Sequence, residues 1–286
     1  MGESRSDVSV IADTFTSSAH TYERRMGSAT RSVAEYIAAL ISPLPPKTTL
    51  LDNACGTGAV TEEFLKIEPT AVIKAVDSSP GMTAIFQNTV PQRFQQSNIE
   101  TAVMDGIRLQ FRNETFDLSI TNFGIFFFSD PVQGIREVYR TLKEGGTAVV
   151  SCWKYIGILP IFYEVQKLIK PITPIQSLPV FEKWMKKETL EGTMRLGGFS
   201  QVRVEEKEVY LFRNGDDDLI AGLVDNLQST VGEKWSKEEK TKLGETTQRV
   251  LREQAEKLCV VVDGRKAVRM VAWVALAKKT GEAPNL

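Results

Sequence analysis

Nine consecutive residues, Leu50-Leu51-Asp52-Asn53-Ala54-Cys55-Gly56-Thr57-Gly58, constrain the fold of this chain more than any other stretch, because an apolar run ends directly in a glycine-punctuated turn. Residues 49–54 read as a buried strand, and residues 60–65 open a helix. Between them, Gly56 and Gly58 let the backbone turn sharply and approach a ligand where a Cβ would block it. Strand, glycine loop and helix in that order predict the first unit of a parallel sheet with a nucleotide-type ligand beyond its strand ends. A turn that merely joins strand to helix is the structural alternative.

The following segment favours the ligand. A second apolar run, residues 71–76, ends at Asp77, about 20 residues beyond the loop, where such folds hold a ribose diol. Asp77-Ser78-Ser79-Pro80 also has the composition of a helix start, and the two roles are compatible. The loop lacks the third glycine of the dinucleotide fingerprint and opens with an acid. Asp52 would repel a pyrophosphate but suits a cationic ligand that carries an ammonium and a sulfonium.

Asp52-x-x-x-Gly56-x-Gly58 resembles motif I of the class I S-adenosylmethionine-dependent methyltransferases, and the resemblance runs for about 100 residues. It implies a Rossmann-like α/β fold: a seven-stranded sheet, parallel with an antiparallel last strand, sandwiched by helices. Asp77 and Ser78 stand at the ribose position, Met82 packs on adenine, and Asp105-Gly106 contacts the adenine amino group. Asn53 and Ala54 belong to the loop. Residues 116–122 resemble the fourth strand, which places Asn122 and Phe123 beside the methyl donor. The stretch Leu51-Asp52-Asn53-Ala54-Cys55-Gly56-Thr57-Gly58 is similar to fungal secondary-metabolite methyltransferases of the gliotoxin thiomethyltransferase type. That likeness implies S-adenosyl-L-methionine as cofactor and a small thiol or dithiol as acceptor.

Composition narrows the partners. The chain has 286 residues, 42% of them hydrophobic, enough for an ample core, and 35 basic against 36 acidic side chains. That balance carries no electrostatic footprint for nucleic acid, so a small-molecule substrate is expected. The three cysteines, Cys55, Cys152 and Cys259, form no CxxC pair and read as free thiols in a reducing, cytoplasmic compartment. His20 is the one histidine, so no metal site is expected. No apolar run is long enough to span a membrane. The opening Met1-Gly2-Glu3-Ser4-Arg5-Ser6 fits the short acylation pattern, with no second anchor beside it. Monomer and homodimer both remain open.

Around the expected core, at about 47–155, 200–213 and 266–280, lie three helical segments at about 8–42, 156–197 and 215–262. One domain over 1–286 is expected, with these segments as a lid over the carboxyl ends of the strands or as added bulk on its outer layers. Asp130-Pro131 starts a helix over residues 131–142 that Gly145-Gly146 should stop, and residues 147–153 then form strand five.

Methyl transfer from a sulfonium depends largely on positioning, and a base is needed mainly for alcohol and phenol acceptors. His20 is the base candidate, since histidine is the residue type whose ordinary range lies nearest neutrality, with surface placement as the alternative. Tyr22, by resemblance, covers the methionine end of the donor. The aromatic run Phe123 to Phe128 follows strand four, so Phe126 and Phe127 are candidate acceptor contacts, with Trp153 and Tyr155 as the opposite wall. Core packing is the alternative for each. Oxygen or nitrogen acceptors, and a non-methylating reaction such as a pericyclic ring closure, are the other readings.

Overall fold

The computed structural model describes residues 7–171, 179–231 and 235–281. The opening hexapeptide and the last five residues lie outside them. Strands β1 (Thr49–Asn53), β2 (Val72–Asp77), β3 (Asn98–Val103), β4 (Phe116–Asn122), β5 (Leu142–Ile156), β6 (Val202–Phe212), β7 (Val260–Val262) and β8 (Arg265–Lys278) form one sheet. Its order is β3-β2-β1-β4-β5-β8-β6, with β7 added to β8 as a hairpin. Pairs from β3 to β5 are parallel, while β8 runs antiparallel to both β5 and β6. The expected seven strands therefore recur with one short addition, β7.

Central strands have both faces covered, so β1 reads as a continuous apolar run rather than an alternation. Leu50, Leu51, Ile73, Ile120, Val149 and Val150 are fully buried. Helices α3 (Ala59–Ile67), α4 (Pro80–Arg93) and α5 (Pro131–Thr141) are the crossovers. The side chains of Ser79 and Asp130 cap α4 and α5 by accepting from the backbone N–H of Met82 and Gln133, each followed by proline at the first helical position.

Strand five departs from expectation. Leu142 leaves α5 with extended backbone (φ −71°, ψ 141°), so the strand begins there and Gly145-Gly146 lies within it. The pairing with β4 jumps from Phe116↔Leu142 to Leu118↔Thr147. The extra residues bulge, and the Gly145 N–H donates to the Lys279 carbonyl at 2.9 Å. Pairing with the last strand thus decides the conformation of a glycine pair that would otherwise stop a helix.

Helix α1 (Asp7–Tyr22), a π-helical turn (Glu23–Gly27) and α2 (Ser28–Leu40) form one helical run ahead of the sheet. Val33, Ala34 and Ile37 bury one face of α2, which packs on α3 and β6. α1 packs on α4, so closely that a Cβ on Gly81 would lie 2.7 Å from the Thr16 Cα.

The segment between β5 and β6 folds into α6 (Ile158–Ile169), α7 (Pro179–Trp184) and α8 (Lys187–Leu196). That between β6 and β8 holds α9 (Asp216–Val231), α10 (Lys237–Thr241), α11 (Leu243–Glu253) and α12 (Ala255–Leu258). α8 packs on α5, β6 and β8, and α11 on α6 and α9. Among the described residues no helix is long and apolar enough to cross a membrane.

Candidate active site

A cleft opens beyond the carboxyl ends of β1, β2 and β4. Its floor is the loop after β1. Ala54 (φ 63°), Gly56 (φ 54°) and Gly58 (φ 103°) take left-handed backbone. The Cys55 N–H donates to the Val76 carbonyl at 2.9 Å, and the Gly58 N–H to the Cys55 carbonyl at 3.0 Å. A Cβ on Gly56 would stand in open space, and Gly56, Asn53 and Ala54 all face the cleft.

Gly58 does not line the cleft. A Cβ there would lie 2.5 Å from Val90 and 2.9 Å from Phe86 of α4, so this glycine serves helix packing. Asp52 is likewise displaced from its expected place. It is fully buried below the loop, where Oδ2 accepts from the Thr61 hydroxyl at 2.7 Å and from the Thr61 N–H at 3.2 Å. Burial pushes its carboxyl up to about 7. The strand alternation turns Asp52 away and points Asn53 at the cleft. Asn53 is 1% exposed, and neither of its side-chain polar atoms has a partner.

Asp77 closes the β2 side. Its Oδ2 accepts from the Gly56 N–H at 2.9 Å and its Oδ1 from the Ser79 N–H at 2.8 Å. Burial raises its pKa, and these two N–H donors oppose the rise. Each oxygen keeps a lone pair for a ligand hydroxyl. The helix-cap alternative falls to the Ser79 side chain, which leaves Asp77 on the cleft beside Ser78 and the buried Met82. Met104, Asp105 and Gly106 form the next wall, with Asp105 Oδ1 accepting from the Ile107 N–H at 3.1 Å. Gly106 is required sterically, since a Cβ would lie 2.3 Å from the Phe128 ring and 2.8 Å from Asn53 Oδ1.

Asn122 and Phe123 end β4. The Asn122 Nδ2 donates to the Thr30 carbonyl of α2 at 3.2 Å, and its Oδ1 accepts from the Ser151 hydroxyl at 2.7 Å. Phe123 has φ 58°, unusual for an aromatic residue. Its N–H donates to Ser151 Oγ at 3.1 Å, and its ring stacks on Trp153 with centroids 3.9 Å apart. A built-in strain of this kind marks sites where surrounding contacts over-determine a side chain.

The last wall comes from α1. Phe15 and Tyr22 both line the cleft. They are seven residues apart, hence on one helix face, with the buried Ala19 between them. Phe15 meets Phe127 edge-on at 4.8 Å. Thr16 Oγ1 lies 2.9 Å from Ser79 Oγ, and the Thr57 hydroxyl donates to the Glu23 carboxylate, so the helical run is fastened to both α4 and the loop. Burial, with the Glu23 carboxylate second, pushes the Tyr22 phenol up to about 12.

Several candidates fall elsewhere. His20 is exposed and absent from the lining, since two helical positions rotate it about 200° from Tyr22. Phe126 is buried beside Phe127 and Trp184. Trp153 lies behind Phe123 rather than across the cleft. Tyr155 is 39% exposed and carries the Arg269 guanidinium over its ring at 5.6 Å. A bulge between Trp153 and Tyr155 in the pairing with β8 breaks the alternation that would have kept them on one face. Among the described lining residues none comes from the insertions after β5 or β6. Among the described residues, the side chains that α1 brings to the cleft are Phe15 and Tyr22.

Phe15, Met104 and Gly124 line the cleft without having been singled out, and Phe128 of the aromatic run lines it with Phe127. Phe15 shares its helix face with Tyr22, which is a legible signal. Gly124 is set by tertiary contact, because a Cβ there would lie 2.4 Å from that of Ala54.

Known proteins resemble this architecture and sequence. Residues 51–150 match the family described as a methyltransferase domain. The ubiquinone/menaquinone biosynthesis C-methyltransferase of Cereibacter sphaeroides is 31% identical over 55% of this chain and 68% of its own length. The demethylmenaquinone methyltransferase of Corynebacterium kroppenstedtii is 27% identical over 55% of this chain and 70% of its own. Among solved structures, phosphoethanolamine N-methyltransferase 2 of Haemonchus contortus in complex with S-adenosyl-L-methionine shares the fold. Its TM-score is 0.58 at 16% identity, over 96% of this chain and 60% of that one.

Proposed function

Since the chain belongs to the class I S-adenosylmethionine-dependent methyltransferases, we propose that it methylates a small, largely apolar metabolite whose acceptor atom is a thiol or dithiol sulfur. The cleft fits the cofactor. Asn53 offers two buried polar atoms that lack partners, Asp77 keeps free lone pairs, and Gly56 leaves space where a side chain would stand. When bound, S-adenosylmethionine supplies an electrophilic methyl group on a sulfonium. Asp77 and Ser78 hold the ribose diol, Met82 and Met104 pack on the adenine, and Asp105 takes its amino group. Asn122, Phe123 and Tyr22 hold the methionine end, and α1 excludes water.

The observation that carries the acceptor class is the chemistry of the aromatic wall built by α1 and the segment after β4. Phe15, Phe123, Phe127 and Phe128 present rings to the cleft, and Tyr22, the titratable side chain among them, stays protonated with its phenol near 12. The two lining carboxylates, Asp77 and Asp105, belong to the nucleoside half. Such a wall provides no base, so it suits an acceptor that ionises without one, as a thiol does with a pKa near 8.5. Ring faces also favour a sulfonium. Holding donor and acceptor in near-attack geometry supplies on the order of 7 kcal/mol or more. The gliotoxin-type likeness of residues 51–58 supports the same acceptor.

A second reading is methylation of an activated ring carbon, which the names of the quinone-pathway relatives favour. An ionised quinol needs no enzymatic base either. The test is incubation of the purified chain with methyl-labelled S-adenosylmethionine and separate dithiol, quinol, phenol and amine panels, read by product mass and fragmentation. Label on sulfur supports the proposal, and label on ring carbon replaces it with the second reading. Altered substrate without label indicates a non-methylating reaction.

A further inference from the structure

The carboxyl edge of the sheet carries a second cleft, of about 430 Å³, lined by Arg24, Phe212, Arg213, Asn214, Asp218 and Arg265. Three guanidiniums meet there because of the topology. β6 runs parallel to β5, so Phe212 and Arg213 emerge at the same edge as the donor loop. Antiparallel β8 begins at that edge with Arg265, and Phe212 is paired with Ala267. Arg24 comes from the π-helical turn, two residues beyond Tyr22.

The charges are unequally matched. Arg24 pairs with Asp225. Arg213 spends its N–H groups on the carbonyls of Phe212, Arg24 and Arg25, and among the described residues no carboxylate forms an ion pair with it. Arg265 lies over the Phe212 ring at 4.4 Å and likewise has no carboxylate partner among the described residues. The one acid in the lining, Asp218, accepts from the Asn214 N–H at 3.1 Å. The Asp218 and Asp225 carboxylates also act on Arg213, which leaves exposed Arg265, held over the Phe212 ring, as the guanidinium with N–H groups free among the described residues for an oxyanion.

We propose that this cleft binds an oxyanion, the phosphate or carboxylate group of a small molecule, on the Arg265 guanidinium, with Arg24 and Arg213 adding positive charge to the same concavity. It stands apart from the donor cleft and independently of the acceptor assignment. The anion arrives either as free phosphate or as the charged group of an organic molecule whose ring lies along Phe212.

Calorimetric titration of the full chain with inorganic phosphate, without donor or acceptor, tests this. One binding site is expected. Arg265→Gln, at an exposed position, should weaken it at least tenfold with an unchanged melting midpoint, and Arg24→Gln should weaken it less. Arg269→Gln, on the same strand but paired with Glu208 at 2.5 Å, should leave it intact. Phenyl phosphate binding at least tenfold more tightly than phosphate supports an organic anion, while equal affinity supports the free ion. The proposal is overturned if wild-type protein binds neither compound, or if Arg265→Gln and Arg24→Gln bind both as wild type does.

Discussion

Asp77 is the residue on which the cleft turns. Each of its oxygens is already oriented by one backbone N–H, so little ordering remains to be done when a diol arrives. Asp77→Ala should weaken S-adenosylhomocysteine binding by roughly 1–3 kcal/mol through loss of two charge-assisted hydrogen bonds. Calorimetry on the folded variant checks this, and wild-type affinity would reject the assignment. Asp52 gives a different prediction. Its folded pKa is raised from 3.8 to about 7, so between those values the folded chain keeps a proton that the unfolded chain has released. Its contribution to stability is therefore complete below about pH 4 and is lost as pH rises through 7, by an amount on the order of 4–5 kcal/mol at about 1.4 kcal/mol per pKa unit. Asp52→Asn, whose amide oxygen can still accept from Thr61, should flatten the pH dependence of urea unfolding across that window. An unchanged slope would show that the carboxyl is already ionised there.

At the scale of elements, the β1 loop and α4 are built as one unit. Gly58 brings the loop against Val90 and Phe86, while Ser79 caps α4 and touches Thr16 of the lid helix. Gly58→Ala meets both a left-handed φ of 103° and a steric clash, so a loss of about 2–4 kcal/mol is expected. A fall in the thermal midpoint, partly restored by Val90→Ala, is the outcome to look for; rescue would assign the defect to packing rather than to the ligand. α1 presents Phe15, Ala19 and Tyr22 inward and His20 outward. His20→Ala should therefore retain wild-type turnover from pH 6 to 9, with any pH dependence following the ionisation of the acceptor. Loss of the ascending, acid-side limb in the variant alone would restore His20 as a base.

At the scale of the whole molecule, the sheet gathers the donor cleft, the lid helix and the arginine cleft at one edge, because β1, β2, β4 and β6 all end there and β8 begins there. Local sequence suffices for much of this. The glycine loop, the acid ending β2 and the caps of α4 and α5 are written in backbone rules that depend on neighbouring residues alone, so the succession of core elements was legible, and the nucleoside half of the cleft followed from the resemblance those residues carry. Phe127 followed from chain order after β4, and Tyr22 from the resemblance alone. Other placements depend on contacts distant in sequence. The strand alternation decides that Asn53, not Asp52, faces the cleft; the β5–β8 bulge turns Tyr155 away; and the pairing of Gly145 with Lys279 extends strand five through a glycine pair. The sequence alone determined which elements form and which ligand chemistry their loop tolerates, because those follow from local backbone preference. Which side chains meet across the cleft was decided by the tertiary structure, because facing, register and close approach are properties of pairs that the chain order does not bring together.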